Sequence, residues 1–230
     1  MDRWIVEISP KPRQTTAFGR DVVGETMGKT IWMNYLSIGV DAKIVKDFEN
    51  CRTNCRGLFC CQLVNKMWYG LWGFLNACYC TSISDAVTAE IDCGSGFQTL
   101  HIPDGLESIV TLNISKFGAG IDLWGTKMDG GGLNHPRCDD ELLELVGVHG
   151  APWLGMAKMS RECVDFPRMA QAKAIKYHFH RDLHMQLDGE AWLQPGSEQH
   201  PTVVHIYRDG AADMFQLDRK LHGNSTCNCN

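Results

Sequence analysis

The sequence predicts an α+β fold, a mainly antiparallel β domain with an inserted helical pair. Short apolar runs bounded by Gly, Pro, Asp and Asn recur near both ends of the chain, and the run at 173–179 alternates apolar and polar side chains. Over residues 63–75, apolar side chains recur at three- and four-residue spacing, which is typical of one face of a helix. Strands on both sides of such a segment indicate a β domain that carries a helical insertion.

The first elements follow from residue type. Residues 5–9 and 30–40 are rich in Ile, Val and Trp and are predicted to be strands. Residues 42–48 are predicted to form a short helix that leads into a polar loop at 49–57. The second helix of the pair carries an apolar stripe, which consists of Leu63, Val64, Met67, Trp68, Leu71, Phe74 and Leu75.

From about residue 87 onward the pattern favours short strands. Residues 180–184 are predicted to form a hairpin turn, and residues 213–230 a polar, disordered tail. The predicted strands are 109–114, 142–148, 173–179, the run that carries Asp188 and Glu190, and 203–207.

Composition and charge exclude several classes of protein. The chain has 230 residues, of which 44% are apolar and 21% charged, as in globular proteins. The formal charge of −5 argues against binding to nucleic acid through charge alone. No run reaches the roughly 18 to 20 apolar residues that cross a bilayer, and the first thirty residues lack a secretory pattern. We therefore expect a cytoplasmic location.

Isolated acids are the first candidates for chemistry. In Asp188-Gly189-Glu190, two carboxylates lie one residue apart, and residues i and i+2 of a strand share a face. Both could then point at one metal ion or one substrate; the alternative is a polar Asp-Gly turn on the surface. Asp41 ends another apolar run beside a glycine, where the alternative is an N-cap for the following helix.

Cysteine and histidine raise the possibility of a metal site. Eleven cysteines is an odd number, so complete intramolecular pairing is impossible, and reduced thiols are expected. Only Cys51 and Cys55 have the paired spacing of structural zinc ligands. The other candidate zinc ligands are Cys60, Cys61, Cys78 and Cys80. A second candidate metal site consists of His178, His180 and His184. An exposed sheet edge would explain these histidines equally well.

The motifs at 34–42 and 186–192 are accompanied along the chain by six other short motifs. These are Asp2–Trp4, Asn65–Gly70, Leu112–Gly120, Trp124–Thr126, Cys138–Val146 and Arg168–Gln171. In this order and spacing the sequence resembles the accessory, or C-terminal, half of the eukaryotic diacylglycerol kinases. The resemblance covers residues 1–212, with a core at about 30–195, and it implies a β-sandwich.

The resemblance also implies roles for particular residues. Asp188 and Glu190 match catalytic acids that face the cleft between the two halves of the kinase, and Asp41 matches an acid that binds the lipid substrate near its headgroup hydroxyls. Asp139 and Asp140 match a loop that holds a structural Mg²⁺, and carboxylates suit that ion. For these two residues, an Asp-Asp strand entry on the solvent side is the alternative.

The implied activity is ATP-dependent phosphorylation of diacylglycerol to phosphatidic acid, with Mg²⁺ and with transient contact to a membrane surface. The half that binds most of the ATP should precede Asp2, so we expect a nucleotide-binding partner in cis or in trans and an inactive isolated chain. A stand-alone regulatory or lipid-binding module derived from such a kinase is the second hypothesis. A cysteine-rich zinc protein is the third.

Overall fold

The computed structural model describes residues 1–9, 28–55, 67–68, 71–73, 75, 82–118, 120–125, 132–159 and 164–214. Its strands and helices in chain order are β1 Asp2–Ser9, β2 Lys29–Trp32, β3 Tyr35–Gly39, α1 Val40–Asn54, β4 Val87–Asp92, β5 Phe97–Leu100, β6 Ser108–Leu112, β7 Leu143–Val148, α2 Ala151–Met159, β8 Arg168–Ala172, β9 Ala174–Phe179, β10 Leu183–Leu187, β11 Glu190–Gln194 and β12 Thr202–Ala211.

The strands form two six-stranded antiparallel sheets. Sheet 1 has the order β2-β1-β12-β9-β4-β5, and sheet 2 has the order β11-β10-β3-β6-β7-β8. Apolar side chains from both sheets, among them Trp4, Leu36, Ile38 and Phe179, meet in one core cluster. This packing confirms the predicted mainly antiparallel α+β fold, and its two-sheet form is the sandwich that the resemblance implies.

The central strands of sheet 2 are buried on both faces. Every residue of β6 and of β7 is buried, which explains why these strands are nearly continuous apolar runs. On the face away from sheet 1, a second core gathers residues of the loop after β6, of α2 and of these strands, including Leu112, Trp124, Val146 and Phe166. The remaining part of this face lies against α1, which contacts β3, β10 and β11.

The helical insertion is present in the described residues. α1 buries Val40 and Ile44, which cluster with Ala151 of α2 and with the half-buried Trp72. Trp72 belongs to a helical stretch described at 67–68, 71–73 and 75. The other members of the predicted stripe, Leu63, Val64 and Phe74, lie outside the described residues.

Several predicted boundaries are wrong. The predicted strand 30–40 is two strands, because the chain leaves sheet 1 after Trp32 and enters sheet 2 at Tyr35. The predicted helix 42–48 begins at Val40 and continues to Asn54, through residues that were predicted to be a loop. Its polar side chains suit a helix that is only partly buried, and Lys43 pairs with Asp47 at i+4.

Other elements had only a weak signal or none in the sequence. The predicted strand 173–179 begins at Ala174, and Lys173 separates it from β8. Residue 183, predicted to be in a turn, already belongs to β10. α2 was not predicted, because its short sequence shows no clear polar face. β12 is longer than the predicted 203–207, while the predicted tail beyond residue 214 lies outside the described residues.

Asn113 joins three parts of the sandwich. Its side-chain Oδ1 accepts a hydrogen bond from Trp4 Nε1 at 2.9 Å, and its Nδ2 donates to the carbonyls of Asp2 and Met33. Its backbone N–H donates to the Asn34 carbonyl at 3.0 Å. Asn113 is fully buried, so none of these groups has water as a substitute partner.

We expect Asn113→Ala to lower the free energy of unfolding by about 2–4 kcal/mol, since it leaves buried donors and acceptors unpaired. Urea unfolding of the purified chain measures this change. Ser115→Ala, at an exposed position in the same loop, is the control and should stay within about 0.5 kcal/mol. Equal midpoints for the two variants would contradict the role of Asn113.

Candidate functional site

Asp188 and Gly189 form the two-residue turn between β10 and β11. Leu187 and Glu190 pair across the hairpin, and φ is 50° at Asp188 and 95° at Gly189. Two successive positive φ angles fit a type I′ turn, for which Asp-Gly is a preferred sequence. The expectation that Asp188 and Glu190 share one strand face is therefore wrong, because Asp188 is not in a strand. Asp188 and Gly189 instead form a surface turn, and the catalytic role of the two acids stays a prediction.

The Asp188 carboxylate binds the segment that connects β2 to β3. Its Oδ1 accepts hydrogen bonds from the backbone N–H groups of Asn34 and Tyr35, both at 3.0 Å, and its Oδ2 accepts one from Met33 at 3.2 Å. In return, the backbone N–H of Asp188 donates to the Tyr35 carbonyl at 3.0 Å. The turn is thus attached to residues about 150 positions earlier in the chain.

Glu190 is the first residue of β11, and its side chain is exposed. Within the described part of the chain, its carboxylate makes no hydrogen bond or ion pair. The two acids of the tripeptide therefore differ, since Asp188 is bound to backbone amides and Glu190 faces solvent.

Asp41 lies in the first turn of α1 and is only 2% exposed. The N-cap residue is Gly39, so the N-cap alternative for Asp41 is wrong. The Asp41 carboxylate accepts hydrogen bonds from Ser37 Oγ and, at 2.8 Å, from Gln186 Nε2. Burial raises the pKa of Asp41, although these donors and Ser108 oppose the shift.

Two acceptors in this pocket have no donor. Asp41 Oδ1 and Gln186 Oε1 are both buried, and neither has a hydrogen-bond partner in the described structure. A buried acceptor without a donor costs free energy. A hydroxyl or amine that donated to these two oxygens would remove that cost.

Tyr35 lies between the two acid positions. It is on the same face of β3 as Ser37, its backbone is bonded to Asp188, and its ring meets Phe117 edge to face at 4.8 Å. Burial raises the pKa of Tyr35, and the charges of Asp41 and Asp188 raise it further. Its phenol therefore stays neutral and can donate a hydrogen bond.

Asp139 and Asp140 do not form a ready magnesium site. Asp139 accepts hydrogen bonds from Nε and Nη2 of Arg137, at 2.9 and 3.1 Å, which lowers its pKa. Asp140 accepts a hydrogen bond from the Leu142 N–H. The described residues contain no group of three side chains arranged to hold a metal ion. The magnesium role of these two residues stays a prediction.

A buried acid that the sequence analysis did not single out lies next to this loop. Glu144 on β7 is fully buried, and its Oε1 accepts a hydrogen bond from Gln171 Nε2 at 3.1 Å, while its Oε2 has no partner in the described structure. Burial, with a smaller contribution from Asp140, raises the pKa of Glu144 to about 8. The sequence could have identified Glu144, because it is a charged residue inside the apolar run 142–148.

The predicted cysteine and histidine sites are not assembled in the described residues. Cys51 and Cys55 are free thiols at the end of α1, and Cys60, Cys61, Cys78 and Cys80 lie outside the described residues. His178 lies 3.5 Å from Glu90, and His180 lies 3.0 Å from Thr88. The zinc hypothesis stays open, because most of its ligands are not described.

Comparison with known proteins decides the family. The family model described as the diacylglycerol kinase accessory domain matches residues 31–191. The chain belongs to this family. It is 33% identical over 201 residues to diacylglycerol kinase kappa of Homo sapiens, and 35% identical over 200 residues to diacylglycerol kinase 5 of Arabidopsis thaliana. These alignments cover 85% and 79% of this chain.

The accessory-domain chain spans only part of these relatives, 15% of the human kinase and 39% of the plant kinase. A solved diacylglycerol kinase from Bacillus anthracis aligns with 90% of this chain and 50% of its own, at 11% identity and a TM-score of 0.35. The family assignment therefore rests on the sequence matches. Among the described helices, none is long and apolar enough to span a bilayer.

The raised pKa of Glu144 gives a pH-dependent prediction for this accessory domain. The folded protein binds the Glu144 proton more tightly than the unfolded chain, so this group's contribution to stability is lost as pH rises from about 4.5 to about 8. We expect Glu144→Gln to become more stable relative to the wild type over that interval. Urea unfolding at several pH values measures the difference, with the exposed Glu198→Gln as control. A difference that does not change with pH would contradict the buried, neutral state of Glu144.

Proposed function

We propose that this chain is the accessory half of an ATP-dependent diacylglycerol kinase, which transfers the γ-phosphate of ATP to the free hydroxyl of diacylglycerol and yields phosphatidic acid. The match to the accessory-domain family carries the proposal. Because the chain spans a minor part of its relatives, the nucleotide-binding half is proposed as a partner in cis or in trans. The isolated chain is then inactive.

The pocket around Asp41 supports a role in substrate binding. Asp41 Oδ1 and Gln186 Oε1 are acceptors without donors, and diacylglycerol presents a hydroxyl donor. Asp41 itself is buried, so a substrate hydroxyl reaches it only with a local shift of α1 or of the neighbouring Tyr35. Tyr35 would be the first polar group on that path.

Glu190 is the proposed catalytic acid at the β10–β11 turn, and Asp188 supports it from the turn itself. Phosphoryl transfer needs a group that positions the attacking hydroxyl, together with screening of the charge on the phosphates. Glu190 is exposed and makes no hydrogen bond or ion pair within the described residues, so it can meet a hydroxyl or the ligands of a bound cation. Asp188 is adjacent, although its carboxylate is already hydrogen bonded.

ATP and Mg²⁺ are proposed cofactors of the complete kinase. Mg²⁺ would screen the phosphate charges, and the nucleotide-binding half would hold most of the ATP. The arrangement of Asp139 and Asp140 does not by itself fit Mg²⁺, because Asp139 faces Arg137. No step of the proposed reaction is therefore assigned to these two residues.

Exposed apolar side chains support transient contact with a membrane by a protein that is otherwise cytoplasmic. Met67, Leu71 and Leu75 recur at four-residue spacing and are exposed, and on α2 Trp153 and Met156 are 40% and 46% exposed. The two helical segments meet where Trp72 packs near Ala151. Residues 67–80 and 151–157 contain no charged side chain, which suits the boundary between lipid headgroups and acyl chains.

The kinase proposal is tested by a phosphoryl-transfer assay with labelled ATP and diacylglycerol in mixed micelles. We expect product only when the chain is joined to a nucleotide-binding half, and we expect Glu190→Gln to lower kcat at least about 100-fold, since an amide neither accepts a proton nor carries charge. Unchanged urea unfolding of Glu190→Gln is the control for folding. A joined protein that binds ATP but transfers no phosphate would favour the regulatory-module hypothesis.

The membrane proposal predicts that Trp153→Ser with Met156→Ser weakens binding to diacylglycerol-containing vesicles by about 10-fold, because less apolar area is inserted. Vesicle sedimentation measures the bound fraction. Ile31→Ser with Phe97→Ser, which removes exposed apolar side chains from sheet 1, is the matched control and should bind as the wild type does. Equal losses for both double variants would show that no particular face is used.

A further inference from the structure

We propose that Asp188 is a positioning residue, whose carboxylate fixes the connection between β2 and β3, and that Glu190 is the acid of the tripeptide that meets substrate. The inference rests on the proposed kinase function for the identity of the site. It assigns the two neighbouring acids different tasks, which their adjacency in sequence does not reveal.

The hydrogen bonds of Asp188 leave little capacity for chemistry. Its Oδ1 accepts two backbone N–H groups at 3.0 Å, and its Oδ2 accepts a third at 3.2 Å. A carboxylate oxygen has two lone pairs, so Oδ1 is fully occupied. A general base must have a free lone pair within about 3 Å of the proton that it removes. One lone pair of Asp188, on Oδ2, remains free of these bonds, whereas neither carboxylate oxygen of Glu190 has a hydrogen-bond partner in the described structure.

The held segment leads directly to the polar cluster of Ser37, Asp41 and Gln186. Tyr35, the last residue bound by Asp188, is followed two residues later by Ser37, whose hydroxyl donates to Asp41. On the partner strand, Gln186 precedes Asp188 by two residues and also donates to Asp41. The turn and the pocket are therefore connected through both β3 and β10, so a loose turn would displace both donors.

Glu190 is free for the role that Asp188 does not fill. Its backbone pairs with Leu187 across the hairpin, which fixes the origin of its side chain. The side chain is exposed and makes no hydrogen bond or ion pair among the described residues. The rigid turn thus supports an acid that remains available, as a preorganised site requires.

Hydrogen exchange on the 230-residue chain tests the positioning role without any enzymatic activity. We expect Asp188→Ala to speed amide exchange at Met33, Asn34 and Tyr35 by about 10-fold or more, because their acceptor is removed. Asp188→Asn keeps an oxygen for Asn34 and Tyr35, so it should expose Met33 alone. Glu190→Ala is the matched control and should leave all three rates unchanged. Unchanged rates in Asp188→Ala would overturn the proposal.

Kinetics of the protein joined to a nucleotide-binding half separate positioning from direct catalysis. Asp188→Asn should keep kcat within about threefold of the wild type, since an amide oxygen still accepts the Asn34 and Tyr35 N–H groups, whereas Glu190→Gln should abolish turnover. Loss of turnover in Asp188→Asn with those two amides still protected would overturn the proposal. If the joined wild type is itself inactive, the kinase function fails, and the exchange rates still decide whether Asp188 anchors the segment.

Discussion

The sandwich depends on how two peptide groups are held where the chain changes sheets. At Met33 and Asn34 the chain leaves sheet 1 and enters sheet 2, so neither ladder can satisfy these backbone groups. Asp188 accepts both N–H groups, and Asn113 donates to both carbonyls, through its side chain for Met33 and through its backbone for Asn34. All four backbone groups of the crossing are therefore bonded by two residues, which meets the requirement that such groups find partners.

The same arrangement explains the polar pocket inside a sheet that is otherwise apolar. Ser37, Ser108 and Gln186 lie on the outer face of sheet 2 and are buried, so they lose solvation where α1 covers them. Hydrogen bonds to Asp41 compensate part of this cost, but two acceptors remain unsatisfied. An apolar pocket would have been more stable in isolation, and such a local departure from stable packing is typical of functional sites.

The sequence predicted the elements whose pattern is local and missed the features that distant residues impose. Alternation over 173–179 and the helical spacing over 63–75 are local patterns. β9 forms as the first predicts, and the described residues 67–68, 71–73 and 75 are helical as the second predicts. The break at Met33–Asn34 lies within an apolar run, and its cause is Asp188, more than 150 residues later. No periodicity over 30–40 reports a partner at that distance.

The Asp-Gly-Glu tripeptide shows why a motif alone cannot assign a catalytic acid. The type I′ turn accepts Asp, Asn or Gly at its first position, so turn geometry alone does not require a carboxylate there. The three backbone N–H groups of residues 33–35 do require acceptors, and both oxygens of a carboxylate can accept them. An Asn side chain would instead place an NH₂ donor against the Met33 N–H. Asp is thus the residue that meets both demands at position 188. The identity of Asp188 is explained by the fold without any role in the reaction, whereas nothing in the described fold requires an acid at position 190. Glu190 is therefore the acid of the tripeptide that remains available for the reaction.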